Sequence, residues 1–434
     1  MVKAPRGTKD LLPGEIEKWH YLEKTARELC RIYGYQEIRT PIFEHTELFM
    51  RGIGEETDIV QKEMYTFDDR GGRNITLRPE GTAPVVRAYL EHHLQAQPQP
   101  LKLYYLGPMF RYDRPQAGRF RQFHQFGFEV FGSHDPAVDA EVISLTRDFL
   151  VKLGLTGLQV ELNSVGCPAC RPSFTEALRA FFLPYQDSLC SFCQGRLERN
   201  PLRLLDCKIP ECREIGKDAP AVLDYLCDDC SAQFLKVQRY LRAMAVPCQV
   251  NARLVRGLDY YTRTVFEVSL EALGTQIALA GGGRYNNLVE ACGGEPTPGI
   301  GVALGLERVL LALEKMGVKL PLEAPKPIFV ATVGEELSWQ LSQEALRLVT
   351  ELRRAGYPAD KDYLGRSLKA QLRFAGRLGA RYVIIMGEKE LHEGNYILKD
   401  MQDGTQFILR GEGLFSFFKD IRSGEEGKWK ASEN

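Results

Sequence analysis

The 434-residue chain lacks the features that would embed it in a membrane or draw it to a polyanion by bulk charge. No run approaches the roughly 18 consecutive apolar residues that a membrane-spanning helix requires. The opening segment, Met1 to Asp10, has no apolar stretch of the kind found in a secretory leader, so a cytoplasmic protein without a membrane partner is expected. A net charge of −1 supplies no global field for nucleic acid, and any RNA contact must come from local clusters of Arg and Lys. What is present is ordinary for a globular protein: 44% apolar and 26% charged residues. The length exceeds what one core can serve and predicts two or three domains.

Cysteine departs from this evenness. Nine of the eleven cysteines lie between Cys167 and Cys248, and eight of them form four close pairs: Cys167/Cys170, Cys190/Cys193, Cys207/Cys212 and Cys227/Cys230. In a reducing cytosol such pairs do not become disulfides. Three pairs have zinc-knuckle spacing, and four pairs are enough for one or two tetrathiolate Zn²⁺ sites. The competing reading is that they are small core residues of an insert.

Periodicity divides the chain further. Ile16, Trp19, Leu22, Ala26 and Leu29 recur at helical spacing over residues 14–33, followed by a short extended run that Pro41 stops. Residues 65–67 and 75–78 read as short strands. The apolar, aromatic runs Leu103–Tyr112 and Phe120–Phe131 flank a breaker-rich loop, Asp113 to Arg119, which predicts an antiparallel hairpin. The cysteine-rich stretch carries helical segments near Phe174–Phe182 and Ala232–Met244. Strand-like runs follow at Tyr261–Leu270 and Gln276–Ala280, after which Gly281 is read as opening a turn. Residues 299–308 lead into a helix, Val309–Met316. A Pro-rich linker, 321–327, precedes alternating elements at Ile328–Val333, Leu337–Ala355, near Asp360, Leu368–Leu378 and Tyr382–Met386. That alternation predicts a small α/β domain over residues 328–422, and the polar tail, 423–434, is expected to be disordered.

Three clusters carry chemistry. Four arginines fall within Arg111–Arg121, interleaved with Phe110, Tyr112 and Phe120; guanidinium suits bidentate phosphate contact and purine stacking, although the same residues could simply solvate a hairpin. Arg256 to Arg263 joins a guanidinium, a carboxylate and two adjacent phenols beside a strand, and on a strand only one of Tyr260 and Tyr261 can face a given side. Gly281–Arg284 and Gly299-x-Gly-x-x-x-Gly305 permit close approach of backbone to a ligand. The latter is a poor dinucleotide fingerprint, with no βαβ unit around it.

The order of these clusters resembles the class II aminoacyl-tRNA synthetases and, within them, the histidyl-tRNA synthetases. Tyr33–Glu44, with Pro41, resembles the first class II motif, Gly107–Glu129 the second and Gly299–Arg308 the third. Arg256–Tyr261 and Ala280–Tyr285 resemble the histidine-specific signatures, and Arg6–Asp10 and Leu77–Thr82 are also typical. The resemblance spans residues 4 to 422.

It implies an α+β class II catalytic domain, residues 1–320, with an antiparallel sheet flanked by helices. A mostly helical cysteine-rich subdomain is inserted at about 166–248, and a C-terminal α/β anticodon-binding domain follows. It implies ATP-dependent activation of L-histidine to histidyl-adenylate and transfer to the 3′ end of tRNA(His), by a homodimer. Arg111, Arg256 and Arg308 would be catalytic, with Arg111, Arg308 and Glu307 at ATP and Mg²⁺ accompanying the phosphates. Glu80, Gly81, Thr82, Arg111, Gln125, Glu129, Arg256, Tyr260 and Tyr261 would bind histidine. Arg114, Gln116, Arg119 and Arg121 would reach the tRNA acceptor end, and no side chain is assigned to a catalytic metal. The alternative is the non-catalytic, histidyl-synthetase-like regulatory subunit of ATP phosphoribosyltransferase, which typically lacks the C-terminal domain and loses catalytic positions.

Overall fold

The computed structural model describes residues 2–54, 57–207, 209–272, 275–322, 326–336 and 338–423. The middle of the linker and, beyond Ser423, the tail expected to be disordered lie outside these residues. Two compact units emerge, Met1–Leu322 and Glu323–Asn434.

In the first unit the strands are β1 (Gln36–Glu37), β2 (Phe43–His45), β3 (Tyr65–Asp68), β4 (Asn74–Leu77), β5 (Leu101–Phe110) and β6 (Gln122–Phe131), then β7 (Leu158–Ser164), β8 (Gln249–Val250), β9 (Thr262–Ala272), β10 (Thr275–Arg284) and β11 (Gly299–Gly305). Its helices are α1 (Ile16–Ile32), α2 (Thr46–Ile53), α3 (Thr82–Glu91), α4 (Pro136–Lys152), α5 (Arg171–Phe182), α6 (Ser191–Arg199), α7 (Pro210–Gly216), α8 (Asp228–Ala243), α9 (Leu288–Ala291) and α10 (Leu306–Lys315). An eight-stranded sheet runs β1-β5-β6-β11-β10-β9-β7-β8. Every pairing from β5 through to β7 is antiparallel, and only the two-residue edge strands β1 and β8 pair parallel. Strands β2, β4 and β3 form a small separate sheet.

The two faces of the large sheet are covered differently. Trp19 and Leu22 of α1, Ile143 and Phe149 of α4, and Val237 and Leu241 of α8 pack on one face against Phe126, Phe128 and Val130 of β6. Strand alternation then turns Phe123, Gln125, Glu129 and Phe131 to the opposite face, where Phe123 and Phe131 join Val86 and Tyr89 of α3. On β11, Ile300, Val302 and Leu304 belong to the first core. The opposite face therefore receives only Gly299, Gly301, Ala303 and Gly305. The centre of this face carries little side chain of its own, and neighbouring side chains lie over it: a Cβ at Gly299 would overlap the Tyr285 ring and one at Gly301 the Glu129 carboxylate.

Two sequence expectations change here. Gly281–Gly283 do not open a turn; they continue β10 and pair with both β9 and β11. Glycine reads locally as punctuation, but here its missing side chain admits neighbours: a Cβ at Gly281 would collide with the Arg256 guanidinium, and one at Gly282 with the Gly301 carbonyl. Tyr260 closes a turn and Tyr261 follows it, both ahead of β9, so the pleat does not separate them and their rings lie 4.7 Å apart. Gly299–Gly305 is a strand leading into α10, in keeping with its poor match to a dinucleotide fingerprint.

The second unit holds β12 (Ile328–Val333), α11 (Ser338–Arg354), β13 (Ala359–Lys361), α12 (Leu368–Arg377), β14 (Tyr382–Gly387), α13 (Glu388–Glu393), β15 (Asn395–Asp400), β16 (Gln406–Arg410) and α14 (Gly411–Ser423). Its sheet order is β13-β12-β14-β15-β16, parallel over the first three strands and antiparallel over the last hairpin. The hairpin extends the sheet beyond the alternation read from sequence.

Candidate active site

Arg111 follows β5, and its backbone N–H donates to the Arg121 carbonyl at 2.8 Å, closing the hairpin loop. Its guanidinium lies 4.2 Å from the centre of the Phe123 ring. Burial, reinforced by the like charges of Arg119 and Arg308, pushes its pKa down to about 10. Arg308, on the first turn of α10, donates to the Ala278 carbonyl at 3.0 Å, and burial together with Arg119 lowers its pKa too. Arg256 forms a 2.5 Å ion pair with Glu267 of β9. Burial opposes its charge, while Tyr261 and Glu267 facing it hold its pKa above the usual value. The Arg256 Nε is buried without a hydrogen-bond partner. Burial and like charges thus disfavour the charged forms of Arg111 and Arg308, and an added negative group would relieve both.

A pocket of carboxylates and phenols lies on the same face. Glu129 is fully buried and accepts from the Tyr285 hydroxyl at 2.5 Å and the Thr82 hydroxyl at 2.8 Å. Burial nevertheless drives its pKa up to about 8. Burial also holds Tyr261 at about 12, with Arg256 lowering it and Glu129 raising it. Tyr260 packs 5.7 Å from Tyr285, ring to ring. Both oxygens of Glu80 accept backbone N–H groups at the start of α3, from Thr82 at 2.7 Å and Ala83 at 2.8 Å; burial still raises its pKa. Gly81 contributes an absence, since a Cβ there would overlap the Tyr105 ring. Gln125 shares the face of Glu129, and its side-chain oxygen is buried without a hydrogen-bond partner.

The loop residues separate into two groups. Arg119 turns inward to pair with Asp113, with Glu63 3.7 Å away. Arg121 stacks 4.0 Å over Tyr112 and donates its backbone N–H to the Gly7 carbonyl at 2.8 Å. Arg114 and Gln116 are exposed.

Glu307 is not brought to the arginines. Its carboxylate accepts from the backbone N–H of His124 at 2.9 Å and lies 3.0 Å from the His124 Nδ1. His124 alternates with Phe123 and Gln125, so this pair belongs to the other face of the sheet. There it lines a groove of about 980 Å³ with Lys9, Trp19 and Leu310. Adjacent residues on a helix point about 100° apart, which separates Glu307 from Arg308.

Sequence reasoning did not single out Glu267, Tyr285 or Arg203. The last donates to the Arg256 carbonyl at 3.2 Å and to Asp259 at 3.0 Å. Tyr285 stands inside a quoted signature, but nothing in its spacing points to Glu129. Away from this face, two groups of four cysteines offer metal-binding donor sets, the sulfurs of each lying within 4.8 Å of one another.

An antiparallel six-stranded core with short parallel edges, arginines from a hairpin and from a strand-to-helix junction, and a separate mixed α/β unit define a class II aminoacyl-tRNA synthetase. Comparisons narrow this further. Residues 7–168 and 213–309 match the family described as histidyl-tRNA synthetase, and residues 328–421 match the anticodon binding domain. The chain is 58% identical to the histidine–tRNA ligase of Pelotomaculum thermopropionicum over 98% of its own length and 99% of that protein. It is 59% identical to that of Desulforamulus reducens, over 96% and 99%. The structure of apo S. aureus histidyl-tRNA synthetase superimposes with a TM-score of 0.82 at 43% identity, covering 96% of this chain and 100% of that one. The chain belongs to the histidyl-tRNA synthetase family.

Proposed function

We propose that the sheet face holding Arg111, Arg256 and Arg308 activates L-histidine with ATP and passes it to the 3′ end of tRNA(His). The observation that carries the reading is the side-by-side placement of a partly buried, mutually repelling arginine group and a buried pocket of Glu129, Thr82 and three tyrosines. One recognises a polyphosphate and the other a polar side chain. In the first step a carboxylate oxygen of histidine attacks the α-phosphorus of ATP, the bond to the β-phosphate breaks, and pyrophosphate leaves. In the second, the 3′-hydroxyl of the tRNA attacks the adenylate carbonyl and AMP departs. Phosphoryl chemistry of this kind asks for alignment and charge neutralisation rather than a protein nucleophile.

Arg111 would grip the α-phosphate and orient the attacking carboxylate, Arg256 would face it from the other side, and Arg308 would hold the γ-phosphate end. Glu80, Thr82 and Gln125 would receive the α-ammonium group; the unpartnered Gln125 oxygen is an acceptor of the required kind. Glu129 and Tyr261 would address the two imidazole nitrogens, with Tyr260 beside them. A competitor lacking those nitrogens leaves buried polar groups unpaired, which gives strong discrimination. Glu267, facing Arg256 and Arg308, is a carboxylate that would hold the Mg²⁺ accompanying the β- and γ-phosphates, whose charge the ion would neutralise. The exposed Arg114 and Gln116, with Arg119 and Arg121 behind them, would meet the tRNA acceptor end, and the unit carrying residues 328–421 would meet the anticodon.

The exposed Ile42, Phe43 and Phe67, on and beside the small sheet, fit a homodimer contact through the segment containing Pro41. No helix among the described residues is long and apolar enough to cross a membrane, and the reaction belongs in the cytoplasm, where tRNA is charged. Histidine-dependent exchange of labelled pyrophosphate into ATP tests the reading. Exchange that requires histidine supports it, and none from folded protein overturns it.

A further inference from the structure

The nested order of the cysteine pairs is resolved by the fold. The outermost pairs meet each other, bringing Cys167, Cys170, Cys227 and Cys230 together, and the inner pairs meet separately as Cys190, Cys193, Cys207 and Cys212. The Sγ atoms of Cys167 and Cys170 are 3.6 Å apart, those of Cys167 and Cys227 3.9 Å, and those of Cys190 and Cys207 3.9 Å. Four sulfurs bonded tetrahedrally to one Zn²⁺ at about 2.3 Å stand about 3.8 Å from one another. A disulfide needs about 2.0 Å. A multi-iron cluster would hold its thiolates around a larger inorganic core than a spread within 4.8 Å permits.

Packing alone does not explain the arrangement. Cys167, Cys190 and Cys227 are only half-buried, so they are not simply filling core space, yet each tetrad converges on one point. The local backbone suits thiolates rather than thiols. Cys170, Cys190 and Cys227 immediately precede α5, α6 and α8, whose N-terminal dipoles favour negative sulfur. Backbone N–H groups donate to sulfur, among them those of Cys227 to Cys170 and of Cys190 to Cys212, each at 3.2 Å. The insert's own core is small, built around Phe174, Leu178, Phe182 and Leu197 with Cys193, Cys207 and Cys212 inside it. A subdomain of this size commonly relies on a metal for its stability.

We propose that the insert binds two zinc ions, one in each tetrad, as closed tetrathiolate centres. Residues beside both centres clamp the segment from Arg256 to Arg263. Arg171, next to the outer tetrad, donates to the Tyr261 carbonyl, and Gly166 accepts the Arg263 N–H at 2.8 Å. The inner tetrad brackets α6 and the turn after it, where Asn200 and Arg203 bond to Asp259 and Arg203 bonds to the Arg256 carbonyl. The zinc would thus position the segment assigned to phosphate and imidazole. That consequence rests on the proposed function; the metal content does not.

The test is elemental analysis of the full-length chain after dialysis into metal-free buffer. About two zinc ions per chain are expected, falling to about one in Cys170→Ser and to about one in Cys193→Ser. Less than about one zinc per chain, stoichiometric iron instead, or disulfides in the native mass would each overturn the proposal. If either variant fails to fold, replacement of the native metal by Co²⁺ in the unaltered chain keeps the proposal exposed. Intense thiolate-to-cobalt charge-transfer bands with tetrahedral ligand-field bands, titrating to about two equivalents, support it. Octahedral or absent spectra overturn it.

Discussion

Gly301 faces Glu129 directly across the β11–β6 pair, and a Cβ at Gly301 would overlap the Glu129 carboxylate. The glycine therefore sets where that carboxylate can stand, with its hydrogen bonds from Tyr285 and Thr82. Gly301→Ala must displace Glu129 or spread the strands, and overpacking of this kind costs about 1–3 kcal/mol. We expect the KM for histidine to rise at least about tenfold, with a much smaller change in the KM for ATP. Steady-state pyrophosphate exchange at varied histidine measures this, and an unchanged histidine KM would remove Glu129 from the histidine pocket.

Arg256 offers a sharper kinetic test. Its proposed partner carries charge that is redistributed only as the adenylate forms, so its removal should appear in the chemical step. Arg256→Ala should slow single-turnover histidyl-adenylate formation by at least about a hundredfold while leaving the circular dichroism spectrum unchanged. Arg256→Lys should rescue little, because an ammonium cannot reproduce a planar fork that meets Glu267 and phosphate together. Near-normal activation in the alanine variant would end this role.

Glu129 predicts a pH signature. Its ordinary value is 4.5 and burial raises it to about 8 in the fold, so folding favours the protonated form. The stabilisation from that group is complete below about pH 4.5 and is lost as the pH rises through 8. Glu129→Gln keeps a neutral side chain at every pH. The Tm of the unaltered protein should therefore fall relative to the variant between about pH 6 and 9. Differential scanning fluorimetry across that range checks it, and a constant difference between the two proteins would show that Glu129 does not titrate there.

What the sequence revealed of this site, and what it hid, follows from the range of the interactions. The hairpin bearing Arg111 was legible because two aromatic runs and a breaker-rich loop are adjacent in the chain. The structure pairs them residue for residue, from Leu101 opposite Phe131 to Phe110 opposite Gln122. Arg308 was legible as the start of a helix after a glycine-rich strand. The partners of Glu129 were not, because Tyr285 and Gly301 reach it only through strand order, and no local pattern encodes that order. Gly281 was misread for a related reason: a missing side chain means a turn by itself and means room for Arg256 once the sheet is assembled. The cysteine pairs showed their spacing but not which pair meets which.

The ion pair of Arg284 with Asp139 is wholly buried, at 2.5 Å, and Arg284 also donates to the Ser133 and Asp135 carbonyls at 2.8 and 2.9 Å. It ties the end of β10 to the first turn of α4. Removing one partner leaves the other charge buried and unpaired, a loss of about 3–5 kcal/mol. Arg284→Leu should therefore destabilise the first unit in urea by that amount, and Asp139→Asn in the same chain should restore part of it. Equal stability of the single and unaltered proteins would show that the pair adds nothing to the fold.

Arg203 lies outside the reaction face, yet it donates to the Arg256 carbonyl and to the Asp259 carboxylate, with Asn200 sharing Asp259 at 3.1 Å. It would therefore act on the chemistry through the placement of Arg256 and the turn after it rather than by touching substrate. Small misplacements of an aligned group cost between about ten- and a hundredfold in rate, and Arg203→Ala should lower the rate of adenylate formation within that range. The KM for histidine should move less than the rate, because Thr82 and Glu129 sit on elements that Arg203 does not touch. Bound metal should be unchanged, since Arg203 contributes no sulfur. Measuring rate, histidine KM and metal content on one preparation separates positioning from collapse. Loss of rate and of metal together with a raised histidine KM would mean that Arg203 merely holds the insert folded, and an unchanged rate would mean that Arg256 finds its place without the insert.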